Sequence, residues 1–152
     1  MRLTRLKTEN FRNLAAVDVT PAPGVNVIYG ENAQGKTNLI EAIYLLTGQK
    51  SFRAAKESDY PRFGQEVARI EAEFTCQNRE KTAALAYGSK KLAWLNGVEC
   101  APSELTGEFL AVVFSPGELA LIQEGPSERR AFLDGAISQV MPRYMITLAA
   151  MS

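Results

Sequence analysis

The sequence contains no histidine. That removes histidine-based triads, histidine metal sites and a histidine general base. Cysteine is nearly as scarce: Cys76 and Cys100 are the only thiols, too few for a disulfide framework. No export signal is seen either, because Arg2, Arg5 and Lys7 interrupt the first leucines. A cytoplasmic setting is expected. Nowhere does an apolar run approach the roughly 20 residues of a membrane span, so no membrane partner is expected. Excess charge is also lacking, since 17 Lys and Arg balance 17 Asp and Glu. Any polyanionic partner must therefore be met by a local patch rather than an overall field.

What is present suits one folded unit: 152 residues, 46% of them apolar, can bury a core. Residues 3–7 and 15–20 read as strands, the second alternating Ala15, Val17 and Val19 with Ala16, Asp18 and Thr20. After the turn Pro21-Ala-Pro-Gly24, residues 25–29 form a short apolar run expected to be a strand. Residues 38–47 follow as a helix with Leu39, Ile40, Ile43 and Leu46 on one face, stopped by Gly48. Residues 49–66 are polar and read as an exposed loop with room for a short helix. From about residue 67 to 100 the pattern turns to alternation: Ile70, Ala72 and Phe74, then Ala83, Leu85 and Tyr87. Asn96-Gly97 between two short apolar runs is a strong hairpin signal, so an antiparallel meander is expected. Residues 109–114, Phe-Leu-Ala-Val-Val-Phe, read as a buried strand. A helical segment is expected over about 115–152. Ser115, Pro116 and Glu118 supply a capping box, and a helix over 126–140 buries Phe132, Leu133, Ala136, Ile137 and Val140.

The stretch Gly30-Glu31-Asn32-Ala33-Gln34-Gly35-Lys36-Thr37 fits G-x-x-x-x-G-K-[ST] without a mismatch. At average composition its four fixed positions match by chance once in ~200 chains of this length, so the pattern is informative. Each fixed residue has a job. Gly30 and Gly35 allow the tight turn whose N–H groups form an anion nest. Lys36 reaches the β and γ phosphates, the Thr37 hydroxyl is placed for Mg²⁺, and the helix N-terminus faces the negative charge. Hydrolysis would further need an acid at a strand end. The only apolar run ending in Asp is Ala131–Asp134, whose helical spacing argues against that role. The chain thus reads as able to hold a nucleoside triphosphate, without a visible apparatus to cleave it.

Taken together, Asn-Phe-Arg-Asn-Leu at 10–14, the phosphate loop with its helix, Lys-Ser-Phe-Arg at 50–53, Val-Val-Phe-Ser-Pro at 112–116 and Gly-Pro-Ser-Glu-Arg-Arg-Ala-Phe-Leu-Asp at 125–134 resemble the N-terminal part of the RecF family of bacterial recombination mediators. The resemblance implies an α/β, P-loop NTPase fold of ABC/SMC-head type, with a mixed sheet and an antiparallel meander. It also implies that residues 1–152 are the first lobe of the head, a truncated piece in which the signature motif, the Walker B acids and the helical arm are missing. It further implies ATP and Mg²⁺ as cofactors, an ATP-dependent homodimer of the full-length protein, and binding to duplex or gapped DNA with RecR as a partner. Carried over by residue, Gly30, Glu31, Asn32, Ala33, Gln34, Gly35, Lys36, Thr37 and Asn38 would bind the nucleotide and Thr37 the metal. Arg12 matches a basic residue that approaches the nucleotide in related heads; read from its surroundings alone it is equally a solvated strand-end arginine. Where ABC and SMC heads place a metal-contacting Gln, this chain has Ser115.

Candidate DNA-phosphate contacts are Lys50, Arg53, Lys56, Lys90 and Lys91, with solvated lysine as the alternative. Trp94 reads as sheet packing rather than a base-stacking platform. The competing functions are an SMC-type head, which would need a heptad coiled coil, an ABC transporter nucleotide-binding subunit, and a non-enzymatic module with a structural glycine loop.

Overall fold

The computed structural model describes residues 1–31, 33–53, 55–114 and 125–151. Six strands form one antiparallel sheet: β1 (Arg2–Phe11), β2 (Leu14–Val19), β3 (Ala68–Cys76), β4 (Arg79–Tyr87), β5 (Lys91–Leu95) and β6 (Val98–Cys100). Their order is β2-β1-β3-β4-β5-β6. The meander expected at 67–100 is therefore present, and β1 joins it by pairing Leu6 with Ala72 and Thr8 with Ile70. Turns of two residues close the β1–β2, β3–β4 and β5–β6 hairpins, and one of three residues closes β4–β5. Asn96 and Gly97 both take positive φ (51° and 79°), as the mirror-image hairpin turn requires. The β1–β2 turn at Arg12 and Asn13 is built on Arg12 at φ 51°.

Among the described residues three α-helices accompany the sheet: α1 (Ala33–Leu45), α2 (Pro126–Val140) and α3 (Arg143–Met151). Helix α1 lies across β1, β2 and β3. Its arrival closes a core of Leu6, Phe11, Ala42, Leu45, Leu46, Ile70, Phe74 and Leu85 with Tyr60, Tyr87, Leu105 and Phe109. Tyr60 comes from the stretch read as an exposed loop; it sits between Phe11 and Tyr87, with ring centroids 5.5 and 4.7 Å away. A hydrophobic ring can be drawn inward from a polar loop because its backbone is pinned: Arg12 N–H donates to the Tyr60 carbonyl and Arg62 N–H to Asn10.

Helix α1 is rotated from its expected orientation. Ile40 is exposed, whereas Asn38, Glu41, Ala42 and Leu45 are buried. Leu39 and Ile43 pack at the core margin. Apolarity alone misplaced the face because two of the buried residues are polar and bring their own partners.

Two expected strands do not form. Residues 25–29 and 109–114 join no ladder, and Val27, Tyr29, Val112 and Phe114 are largely exposed. A strand is stable only when paired, and among the described residues these segments pair with no strand. The expected stripe of α2 is also bare: Phe132, Leu133, Ile137 and Val140 face outward, while Ser138 and Gln139 are buried. Gln139 faces inward because its Oε1 accepts from the Ala111 N–H, and Pro142 packs on Gly107. The capping box at Ser115, Pro116 and Glu118 lies outside the described residues.

Candidate functional site

Strand-less residues 25–29 lead into Gly30 at φ 150°, a conformation open to glycine, and α1 begins at Ala33. Asn32 lies outside the described residues; Gly30 and Glu31 precede the helix, residues 33–36 form its first turn and Thr37 and Asn38 begin the second. The Lys36 ammonium turns back to the Gly30 carbonyl and so ties the two ends of the loop together. Beside it lies a cleft of about 330 Å³ lined by Leu14, Val17, Ile28, Gly30, Gly35, Lys36 and Leu39 among others. One wall is the apolar edge of β2 and the other is the loop with its lysine. A flat apolar group attached to an anion would meet both surfaces. Thr37 is exposed at the helix N-terminus, where amide dipoles and a hydroxyl favour a phosphate and its cation.

The buried face of α1 carries a polar network that sequence reading missed. Glu41 has no exposed surface, and its carboxylate receives three side chains. Arg12 donates through Nε at 2.5 Å and Nη2 at 3.2 Å, and the Ser51 hydroxyl donates at 2.8 Å. Arg53 lies 3.6 Å away and donates through Nη1 to Asn38 Oδ1 at 2.6 Å. Asn38 in turn donates to Asn13 Oδ1 at 2.7 Å. Arg12 also lies over the Tyr60 ring, 5.5 Å from its centroid.

This arrangement follows from desolvation. A carboxylate removed from water costs several kcal/mol unless its oxygens are filled by good donors; a forked guanidinium and a hydroxyl fill them here. The network joins three segments distant in sequence: the β1–β2 turn, α1 and the 50–53 stretch. The signal that could have found it is the helical register itself, since Asn38, Glu41, Ala42 and Leu45 share one face of a 3.6-residue helix. Ser51 was part of a quoted motif, but its role was not visible from spacing.

Other predicted residues are now placed. Arg12 is bound to Glu41. Arg53, a candidate DNA contact, is held by Asn38 and Glu41. Lys91 pairs with Glu57 at 2.8 Å and lies over the Tyr87 ring, while Lys50, Lys56 and Lys90 are exposed. Trp94 is half-buried on the sheet with the Arg69 guanidinium 4.8 Å from its ring centroid, in keeping with a packing role. Asp134 lies within α2, where its carboxylate accepts from the Tyr144 hydroxyl at 2.7 Å. That hydrogen bond, with burial second, raises the Tyr144 phenol above its ordinary value. Asp134 is therefore not a strand-end acid.

Burial raises the Tyr60 and Tyr87 phenols above their ordinary range, and the nearby Glu41 charge adds to both. Among the described residues no group of three or more acids or thiols could hold a metal by itself. A magnesium ion that arrives with a polyphosphate needs no such group, because it keeps phosphate and water oxygens and takes few protein ligands.

Comparison with known proteins gives the site its context. The family described as the RecF/RecN/SMC N terminal domain matches residues 2–99. The chain is 41% identical over 150 residues to the DNA replication and repair protein RecF of Desulforudis audaxviator, covering 97% of this chain and 41% of that protein. It is also 41% identical over 146 residues to RecF of Clostridioides difficile, covering 95% and 39%. The chain thus spans about two fifths of these relatives. A solved structure of a RecF–ATP complex superposes with a TM-score of 0.89 at 38% identity, over 98% of this chain and 42% of that one. An SMC ATPase structure shares the fold, at a TM-score of 0.71 and 23% identity over 90% and 99% of the two chains. The mixed α/β head architecture expected from the sequence is that of these neighbours, and the chain belongs to the RecF/RecN/SMC N-terminal domain family, within which it resembles the N-terminal part of RecF.

Proposed function

We propose that this chain is the ATP-binding part of a RecF-type recombinational DNA-repair protein. The observation that carries the reading is the juxtaposition of a Gly30–Thr37 loop closed by Lys36 with the apolar cleft beside Leu14, Val17 and Leu39. In that reading Gly30, Glu31, Asn32, Ala33, Gln34, Gly35, Lys36, Thr37 and Asn38 form the nucleotide site. Backbone N–H groups and the helix N-terminus cradle the phosphates, and Lys36 exchanges its bond to the Gly30 carbonyl for phosphate oxygens. The base or sugar rests against the apolar wall. Thr37 gives one oxygen to Mg²⁺, which when bound neutralises phosphate charge. Arg12 approaches the nucleotide from the β1–β2 turn.

The whole protein is proposed to dimerise with ATP, to bind duplex or gapped DNA, to act with RecR and to work in the cytoplasm. Supporting this are the RecF relatives and the RecF–ATP neighbour. No described helix is long and apolar enough to cross a membrane. Hydrolysis is assigned to the whole protein, since its strand-end acid is not identified by any motif in this chain.

The direct test is calorimetric titration of Mg·ATP into the chain and its Lys36→Ala variant. Micromolar binding that the substitution abolishes is the expected outcome. Equal heats in both would leave the glycine loop a purely structural turn.

A further inference from the structure

Residues 60–67 form a projection at the end of the sheet that carries the β1–β2 and β4–β5 turns. Its base is fixed by backbone: the Arg12 N–H donates to the Tyr60 carbonyl and the Arg62 N–H to that of Asn10, each at 2.7 Å. Phe11 and Pro61 add an isolated bridge. At its tip the Gln65 N–H donates to the Arg62 carbonyl at 2.8 Å, with Gly64 at φ 81° in the third position, as a type II turn requires. Phe63 therefore stands at the apex. Its ring is fully exposed, although Tyr60, three residues earlier, is drawn into the core.

Single apolar residues on a surface are ordinary. This one is held differently. A side chain on a loop tip normally shares in the backbone freedom that binding must remove; here the turn and the bonds at its base have removed most of it beforehand. Nothing lies within 4 Å of where a β-carbon on Gly64 would stand. The tip is clear of the body, and both faces of the Phe63 ring are open.

The surroundings supply positive charge. Arg62 precedes the ring and is exposed, as is Lys56 at the start of the segment. Gly88 packs so close behind that a methyl there would stand 3.2 Å from the Glu66 carbonyl and 3.0 Å from the Val67 side chain. That contact brings the β4–β5 turn, with exposed Lys90, to the same rim. Of the three acids in residues 56–67, Glu57 is paired with Lys91 at 2.8 Å, Asp59 accepts the Lys56 N–H at 3.1 Å, and Glu66 is the third. A bare ring among cations matches a polyanion that carries flat, stackable groups. A continuous duplex keeps its bases inside the stack, so the ring can meet only an unpaired one.

Resting on the DNA-binding part of the function proposed above, we propose that Phe63 is a base-stacking residue that takes an unpaired base beside a duplex, with Arg62 and Lys90 on the flanking phosphates. The tip then tells a gapped duplex from a continuous one. Phosphate contacts alone do not make that distinction, because both DNAs present the same backbone.

The experiment is a pair of titrations, in Mg·ATP, of a duplex with a thymine gap and of a continuous duplex of equal length. The proteins are the unaltered one, Phe63→Ala, Phe63→Leu, Phe63→Trp, Arg62→Gln and Lys90→Gln, with thermal melts to establish folding. Phe63→Ala should weaken binding of the gapped duplex about fivefold or more and that of the continuous duplex less than twofold. Phe63→Leu should lose as much, since it keeps apolar volume without a flat π face, and Phe63→Trp should retain the preference. Arg62→Gln and Lys90→Gln should weaken both DNAs alike and flatten the salt dependence. With 5-bromouracil in the gap, light should cross-link the DNA to residue 63 of the unaltered protein.

Equal weakening of both DNAs by Phe63→Ala, or no weakening, overturns the proposal. So does full binding by Phe63→Leu, which would make the contact apolar without stacking, or a cross-link that maps elsewhere. Failure of the unaltered protein to bind either DNA would overturn the DNA-binding reading itself, and this proposal with it. That outcome is seen before any variant is made.

Discussion

The two halves of this molecule bury their hydrophobic residues very differently. In the sheet and α1, Phe74 and Leu85 are almost fully enclosed and even a glutamate is dry; in residues 25–29 and 112–114 and on α2, large apolar side chains lie open, Phe114 at 88% exposure. Composition does not separate them, for both halves are rich in Val, Ile, Leu and Phe. What differs is pairing. The first half is built on hairpins whose partners follow within two or three residues, so each strand has one local neighbour, and the long-range β1–β3 pairing joins them. The second half consists of single strand-like runs and a helix whose apolar stripe has no facing surface among the described residues. Hydrophobicity announces that a segment is destined for burial, but not what will bury it.

The contrast can be broken most severely at its polar centre. Glu41→Ala removes the acceptor of Arg12 and Ser51 while leaving the guanidinium behind, and should cost about 3–5 kcal/mol in urea unfolding, the usual penalty for orphaning a buried ion-pair partner. Phe74→Ala should cost a comparable ~3–5 kcal/mol, since it empties a core position that meets Phe109 edge-on at 5.2 Å. Gly48→Ala comes next. At φ 79° the new methyl would also stand 2.6 Å from the Thr106 hydroxyl, and a loss of about 1–3 kcal/mol in the same assay is expected.

A smaller effect sharpens the comparison by pH. Because burial raises the Tyr60 and Tyr87 phenols, the folded state holds those protons longer than the unfolded one. Their contribution to stability is complete below the ordinary tyrosine value of about 10 and declines as pH rises above it. An absorbance titration of tyrosinate should show a late-ionising fraction that joins the rest on unfolding. The smallest effect should come from the open half. Phe114→Ser should change stability by no more than about 0.5 kcal/mol, the ordinary range for surface substitutions, yet lower the binding of a hydrophobic dye. A large loss there would mean that residues 112–114 are packed after all.

Sequence reading performed unevenly along the same divide. The meander, the Asn96-Gly97 turn, α2 from Pro126 to Val140 and the helix after the phosphate loop were legible, because turn chemistry and periodicity are local. The rotation of α1 was not. Asn38 and Glu41 look like surface residues until Arg12, Asn13, Ser51 and Arg53 come from elsewhere in the chain to satisfy them. Tyr60 was hidden for a similar reason: a lone aromatic in a polar loop gives no period. The phosphate loop was legible as a motif, whereas the arginines around its helix had no pattern short enough to read.

The loop is anchored at one end only. Helix α1 is fixed to the core through Ala42, Leu45 and Leu46, but the segment entering the loop at residues 25–29 belongs to no sheet. A phosphate cradle needs both ends held, so a ligand that fixes the loop also fixes the entry segment. Anything that supplies residues 25–29 with a neighbouring strand would tighten ligand binding. By thermodynamic reciprocity the bound ligand would strengthen that strand pairing by the same factor, making the occupancy of a small-molecule site and the completion of a sheet two readings of one equilibrium.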